Sequence, residues 1–482
     1  MEDLKQKSIN GVIWNLIEKF GIQLIKLVLG VVLARLLTPE DYGLIGMITV
    51  FFAIAMVFID SGFGMAFIQK KEVNDIDAST IFYFNLGVSS LFYAIMWFCA
   101  PLIANFYEES QLVMLIRVLS ILLIINAIGL IQFTKLKKEV DFKKMTIIIL
   151  VSSLVSGIAG IIAALMNYGV WSLIIQQLVA ASIKNIGLWV FYKWRPLLRF
   201  NINSLKSMFS FSLWALFIGI IDTIFNNIYI LFIGKYFSAA GLGFYTKAVQ
   251  FQRMISAEAS EAIGTVAFPV FSKLQEDKIA FKNAIKKFSQ NTLIFIAPLS
   301  AICIVIAKPL FLILLTEKWL PMVPYFQLLL VAGILYPIHL INVIVLNALA
   351  KMKLNFNLSM IKNVLRIINI VAMYRHGIIY IIYGEIVLSV LTLFLNTFYT
   401  KRFVGYGLFE QMKHLSVIIL TSLALTIIGL ILTNEITNDF LKIIIGALFV
   451  GSFYIISMYF LNRKVFLDMI EIIKTKLPKK NS

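Results

Sequence analysis

Apolar runs of membrane-spanning length alternate with short polar stretches along the whole of this chain. A helix needs about 20 apolar residues to cross the hydrocarbon core of a bilayer. Cutting the chain at its polar stretches leaves fourteen candidate segments, at 11–34, 42–68, 80–104, 112–134, 146–166, 170–192, 208–233, 243–271, 291–315, 325–348, 356–374, 378–400, 415–433 and 441–462. Charges interrupt the eighth and the eleventh. The first run exceeds the roughly 7–15-residue core of a secretion signal and ends without a small-x-small cleavage site, so it is expected to remain as a span. The pattern predicts an all-α integral membrane fold.

Basic residues fall in alternate connections. One side carries Lys70 and Lys71, then Lys135 to Lys144, then Lys193 to Lys206, and later the lysines between Lys273 and Lys287, Lys401, Arg402 and the basic tail. The other side has little more than Arg35, Lys235, Lys318 and Arg375. By the positive-inside rule both termini are expected in the cytoplasm of a plasma (inner) membrane protein. The same alternation supports the segment number, since one missed span inverts every later connection.

Composition sharpens this picture. The chain of 482 residues is 60% hydrophobic and 14% charged, with a mean hydropathy of +0.91, against about 25% charged in soluble domains. A soluble enzyme is excluded. The formal net charge of +18 would suggest nucleic acid in a soluble protein; here it reads as a topology signal, and no nucleic-acid partner is expected. Cys99 and Cys303 lie within apolar runs, and His339, His376 and His414 match no zinc spacing. No metal and no cofactor are expected. Phe281, Ile285 and Phe288 stand among lysines between Ser272 and Gln290, and Ile470, Ile472 and Ile473 do so between Val465 and Leu477. Both stretches read either as basic amphipathic helices on an anionic leaflet or as solvated charged linkers.

An offset of 200 residues relates the first span to the seventh: Trp14 meets Trp214, Arg35 meets Lys235, Thr38 meets Ser238, Gly43 meets Gly243 and Gly64 meets Gly264. Each copy runs as a span, a basic residue, a Ser/Thr turn, a glycine and a polar-interrupted span. Six spans separate the copies, which makes the repeat parallel, as in transporters that hold substrate between two halves. The expected layout is two pseudo-symmetric six-helix lobes around a central cavity, residues 1–200 and 201–402, with residues 403–482 supplying two extra spans and a basic cytoplasmic tail.

Charges at the bilayer centre cost about 2.5–3.5 kcal/mol each on insertion scales, so those inside spans need partners or water. On the first span Asn15, Glu18, Lys19, Gln23 and Lys26 share an arc of roughly 140°. On the seventh, Asp222, Asn226 and Tyr229 follow helical spacing. The eighth carries Lys247, Gln250, Arg253, Glu258 and Glu261; the eleventh Asn355, Ser359, Lys362, Arg366 and Asn369; the sixth Gln177 and Lys184. As a set these describe a hydrated cavity with excess cations, suited to a diphosphate headgroup. Singly, each reads as well as a salt bridge between packed helices, for example Glu261 with Arg253, and Lys184 and Lys362 also read as snorkelling side chains. Asp222, Glu258 and Glu261 are candidates for coupling to H+ or Na+. No Walker or zincin motif occurs, and Glu108 and Glu109 read as solvated helix-end charges.

The segments LARLLTPEDYGLIGM at 33–47, DSGFGMAFIQKKE at 60–72, GKYFSAAGLGFYTKA at 234–248, FPVFSKLQED at 268–277 and EKWLPMVPYFQLLLVAGIL at 317–335 resemble, in order, blocks of the Wzx-type polysaccharide exporters. These belong to the multidrug/oligosaccharidyl-lipid/polysaccharide flippase superfamily, and the likeness is to the colanic-acid and teichuronic-acid exporter subgroup. The resemblance implies two six-helix lobes, alternating access and a substrate made of an oligosaccharide repeat unit on undecaprenyl diphosphate. Related lipid flippases place cations on their first, second and eighth helices; Lys19, Lys26 and Arg253 fit that pattern. The second span has no basic residue within it, which shifts headgroup binding toward Lys184, Lys362 or Arg366.

The expected function is therefore flipping of lipid-linked repeat units for surface polysaccharide biosynthesis, with membrane lipids, a polysaccharide polymerase and glycosyltransferases as further contacts. A multidrug antiporter of the same superfamily would need an acidic or aromatic cavity. A membrane polymerase or ligase, the enzymatic rival, would need a sizeable external loop.

Overall fold

The computed structural model describes residues 14, 21–60, 67, 74–139, 141–463 and 466–467, the side chains at 60, 204 and 207–215 excepted. Helices account for nearly all of them. In chain order they are α1 (21–36), α2 (Pro39–Asp60), α3 (Asp75–Tyr107), α4 (Leu112–Leu119), α5 (Ile121–Lys138), α6 (Phe142–Leu165), α7 (Trp171–Phe191), α8 (Ile202–Asn226) and α9 (Ile228–Tyr236). There follow α10 (Ala239–Leu274), α11 (Lys278–Val305), α12 (Ala307–Leu315), α13 (Val323–Gly333), α14 (Tyr336–Ala348), α15 (Met352–Met373), α16 (Ile378–Val404), α17 (Leu408–Asn434) and α18 (Asp439–Leu461).

Local chemistry sets their limits. α3 begins in a capping box: Asn74 Oδ1 accepts from the Asp77 amide at 2.7 Å while Asp77 Oδ2 accepts from the Asn74 amide at 3.4 Å. It ends at Glu108, whose left-handed backbone (φ 62°) turns the chain. Between α8 and α9 the axis bends by 44°, where Asn227 Nδ2 donates to the Thr223 carbonyl at 2.8 Å and shares that acceptor with its own amide. The helical stretch before Gly333 and α14 meet at 42°; Pro337, in the first turn of α14, has no N–H to continue the ladder back to Gly333.

Among the described residues, ten helices are long and apolar enough to cross a membrane, or twelve with each bent pair taken as one span. This is a multi-pass, all-helical membrane protein. The first expected segment is described only from residue 21 on, and α10, 36 residues long, carries the charges that already marked it as the polar eighth segment.

The chain divides into two compact units, residues 1–243 and 244–482. In lipid the hydrocarbon is as apolar as the side chains, so helices associate through close packing at small residues and through buried hydrogen bonds. Within the first unit, Gly157 and Gly160 of α6 bring its backbone against Leu29 and Gln176. Phe82 sits edge-on to Trp189 and Trp194 at 6.4 and 6.3 Å, and Trp189 Nε1 donates to the Ile128 carbonyl at 3.2 Å. In the second unit, Leu293, Ala297 and Ala301 of α11 pack with Leu415, Ile418, Val450 and Met458, and the Tyr454 hydroxyl donates to the Ile294 carbonyl at 3.2 Å. The last two helices are thus bound into that core.

One expectation is corrected here. The stretch around Lys278 to Gln290 is the first part of α11, and Phe281 and Ile285 are buried with Phe271, Val404 and Tyr406. Phe281 and Ile285 face protein rather than a leaflet surface. Lys282 completes the attachment, donating to Glu410 at 2.9 Å and to the Gly405 carbonyl at 3.2 Å. The corresponding tail stretch lies, save Phe466 and Leu467, outside the described residues.

Candidate functional site

In the first unit, Lys19, with Asn15 and Glu18, lies outside the described residues. Lys26 is exposed on α1, and Gln23 beside it is half-buried. Lys184, half-buried on α7, holds its ammonium 4.6 Å from the centre of the Phe133 ring on α5. A cation over an aromatic face is attracted by the ring quadrupole, so part of this lysine's charge is already engaged. Asp222 and Asn226 are exposed on α8, whereas Tyr229, three residues past Asn226, is buried on α9. The bend at Asn227 separates what helical periodicity placed on one stripe. Lys235 pairs with Glu108 at 2.8 Å and lies 5.3 Å over the Phe106 ring. That pair draws the Glu108 carboxyl below its ordinary range, through the hydrogen bond first and the charge second.

In the second unit, α10 exposes Arg253, Glu258 and Glu261 and buries Lys247. Arg253 stands 3.9 Å from Glu261, which also accepts from the Tyr336 hydroxyl at 2.9 Å. The ion pair anticipated between these two exists, at a separation too long for a hydrogen bond.

A further group of charges is on α14, α15 and α16. Gly384 permits it: a Cβ there would lie 1.6 Å from Asn369 Oδ1. Without one, Asn369 of α15 packs against α16 and donates to the Ile381 carbonyl at 3.0 Å. This close crossing sets Lys362 and Arg366, one turn apart on α15, beside the half-buried Glu385 on α16 and His339 on α14. Arg366 donates to Asn363 Oδ1 at 3.2 Å. His339 Nε2 lies 3.1 Å from Ser389 Oγ, one turn beyond Glu385. Asn355, lower on the same stripe, donates to Asn347 Oδ1 at 3.0 Å.

Lys362 and Arg366 are thus brought together, as their spacing predicted, and Arg253 with Glu261. Lys26, Lys184 and Asp222 each stand apart from the other described candidates of their unit. Glu385 and His339 were not singled out from the sequence. The signal was present for Glu385, the one charged residue in the stretch 378–400; for His339 there was none, because its importance lies in neighbours far away in the chain.

Known proteins can now be set beside this geometry. Residues 32–324 match the family described as polysaccharide biosynthesis protein. The chain belongs to that family. It is 26% identical over 337 residues to the teichuronic acid biosynthesis protein TuaB of Bacillus subtilis (strain 168), covering 70% of each chain. It is 26% identical over 369 residues to the lipopolysaccharide biosynthesis protein WzxC of Escherichia coli (strain K12), covering 75% of this chain and 74% of that one. The resemblance to Wzx-type exporters carried by the five sequence blocks is therefore upheld. Among solved structures, the lipid II flippase MurJ in an inward closed conformation has a TM-score of 0.77 at 18% identity, over 95% of this chain and 100% of that one. At that identity the likeness is one of fold.

Proposed function

We propose that this protein flips oligosaccharide repeat units linked to undecaprenyl diphosphate from the cytoplasmic to the outer leaflet of the plasma membrane, for surface polysaccharide biosynthesis. Membership of the polysaccharide biosynthesis family carries this reading, joined to an excess of cations within the spans. The diphosphate is held in a hydrated cavity by Lys19, Lys26, Lys184, Arg253, Lys362 and Arg366, by charge-assisted bonds to phosphate oxygens. The glycan crosses through water and the polyprenyl tail stays in lipid. No covalent bond is made or broken.

Fourteen spans with both termini cytoplasmic, arranged as lobes at 1–200 and 201–402 with residues 403–482 appended, complete the proposal. Direction comes from an H+ or Na+ gradient through intramembrane carboxylates, of which Asp222, Glu258 and Glu261 are candidates, or from differential affinity for the substrate in two conformations. Polymerase and glycosyltransferases act beside it on the same lipid-linked units.

Deletion of the gene tests the reading. Lipid-linked repeat units should accumulate on the cytoplasmic face and surface polysaccharide should fall. Normal surface polysaccharide in the deletion strain would reject it.

A further inference from the structure

The connection between α7 and α8, residues 192–201, is non-helical chain tied down along one side. The Leu197 amide donates to Ser79 Oγ at 2.8 Å and the Asn201 amide to Thr80 Oγ1 at 3.0 Å. Both hydroxyls are buried on α3 and spend their own hydrogen within it, on the Asp75 and Ile76 carbonyls at 2.6 and 2.7 Å. Arg195 fastens the start of the connection, donating to the Trp189, Tyr192 and Trp194 carbonyls at 2.8, 2.9 and 2.9 Å. Between the ties at Leu197 and Asn201 the chain makes a three-residue turn, the Arg199 amide donating to the Leu197 carbonyl at 2.7 Å. Leu198 stands at the apex of that turn and is 94% exposed.

What the segment holds out is both apolar and basic. Leu197, Phe200 and Ile202 are exposed beside Leu198, and Lys193, Arg199 and Lys206 are exposed among them. From Lys193 to Ile221 the sequence has no Asp or Glu. Toward the protein the charges are matched: Lys135 pairs with Asp75 at 2.9 Å and lies 4.7 Å from the centre of the Trp194 ring, and Glu139 accepts from the Tyr192 hydroxyl. The exposed surplus is therefore cationic. α7 and the bent pair α8 and α9 are both candidate membrane spans, so the chain joining them lies at the membrane surface. Trp189, Tyr192 and Trp194 stand at this end, as aromatic residues do at the boundary of water and hydrocarbon. An anionic surface with an apolar interior meets both features, and the one present at this position is the bilayer's own.

We propose that residues 193–206 anchor this protein in an anionic phospholipid surface. Leu198, Phe200 and Ile202 enter the boundary between headgroups and acyl chains, while Lys193, Arg199 and Lys206 bind lipid phosphate oxygens. Ser79, Thr80 and Arg195 position the segment from the protein side. The anchor requires only the membrane-spanning fold and is independent of the cargo.

The test uses the full-length chain carrying C99A and C303A, spin-labelled through L198C and reconstituted in vesicles of phosphatidylcholine, alone or mixed equally with phosphatidylglycerol. Paramagnetic accessibility compares oxygen, which partitions into lipid, with a neutral nickel complex that stays in water. The label should be immersed in lipid in the mixed vesicles and withdrawn in phosphatidylcholine alone. K193Q and R199Q should each shift this balance toward water by about fivefold, the worth of one basic residue near an anionic surface. Trypsin cleavage after Arg199, read on the unmodified chain and so free of any cysteine variant, should slow by about fivefold or more when phosphatidylglycerol is added. A label equally open to nickel in both kinds of vesicle overturns the anchor. Immersion that is the same in both, and in K193Q and R199Q, overturns the choice of anionic headgroups. A label open to nickel in vesicles yet immobilised in native membranes gives the segment to a protein partner and overturns the anchor as well.

Discussion

Gly43 and Gly243, two hundred residues apart, allow each other's helix to pass at backbone distance. A Cβ on Gly43 would lie 1.7 Å from the Ala239 carbonyl oxygen, and one on Gly243 would lie 1.8 Å from the Pro39 carbonyl oxygen and 3.2 Å from the Gly43 amide nitrogen. The contact is reciprocal: Pro39 and Ala239 are themselves related by the offset of 200 that pairs the two glycines. The starts of α2 and α10 therefore approach each other reciprocally, each glycine facing the other helix's backbone.

Both obstacles are backbone atoms, which no side-chain rotation relieves. G43A and G243A are each expected to lower stability by about 1–3 kcal/mol, the usual cost of overpacking. Because the two mutations open the same crossing, the double variant should cost clearly less than the sum of the singles. Thermal unfolding of the detergent-solubilised protein measures all three. Additive losses would mean that the glycines act at separate places.

Arg253 offers a choice between substrate binding and pairing with Glu261. Their separation of 3.9 Å and side-chain exposures of 60% and 48% make this a weak pair, worth about 0–1 kcal/mol. E261A should therefore leave stability nearly unchanged, and R253A should reduce export without reducing membrane insertion. The exchange R253E/E261R separates the readings: it restores export if the pair is what counts, and leaves export low if Arg253 holds an anionic headgroup. Surface polysaccharide, normalised to the amount of protein in the membrane, is the measurement.

Much of this molecule was legible in its hydropathy. Spans such as Phe142–Leu165 and Asp439–Leu461 coincide with apolar runs because a helix in lipid must be apolar over its whole length. The stripe Asp222, Asn226 and Tyr229 was misplaced, since periodicity assumes an unbroken helix and a side-chain amide at Asn227 breaks it. Phe281 and Ile285 looked peripheral because lysines surround them; only the fold shows Phe271 and Tyr406 waiting opposite. The group at Glu385 depends on three helices and on the absence of a Cβ at Gly384, relations that no local window contains.

Burial of Phe281 makes a prediction of its own. At 1% exposure, its truncation should cost about 3–5 kcal/mol, as for other buried phenylalanines cut to alanine. F281A is then expected to unfold at a markedly lower temperature, while K278A, on the exposed side of the same turn, should behave as wild type. If the stretch lay on the membrane surface instead, F281A would weaken binding to anionic vesicles and leave the unfolding temperature alone.

The acidic ends of the first unit respond to pH in opposite senses. Lys235 lowers the Glu108 carboxyl below its ordinary value of 4.5, so the folded state binds that proton less readily than the unfolded chain. Its stabilising contribution is full above the ordinary value and disappears as pH falls through the lowered one. Glu109 is raised, by burial first and by the charge of Glu40 second. Its favourable contribution is present below the ordinary value and is lost as pH rises through the raised one. E108Q should therefore be less stable than wild type at neutral pH, with the gap closing in acid. E109Q should be more stable than wild type at neutral pH, with its advantage also vanishing in acid. Unfolding temperatures of the two variants against wild type, across a pH series, check both signs, and a gap for E108Q that widens in acid would refute the pairing of Glu108 with Lys235.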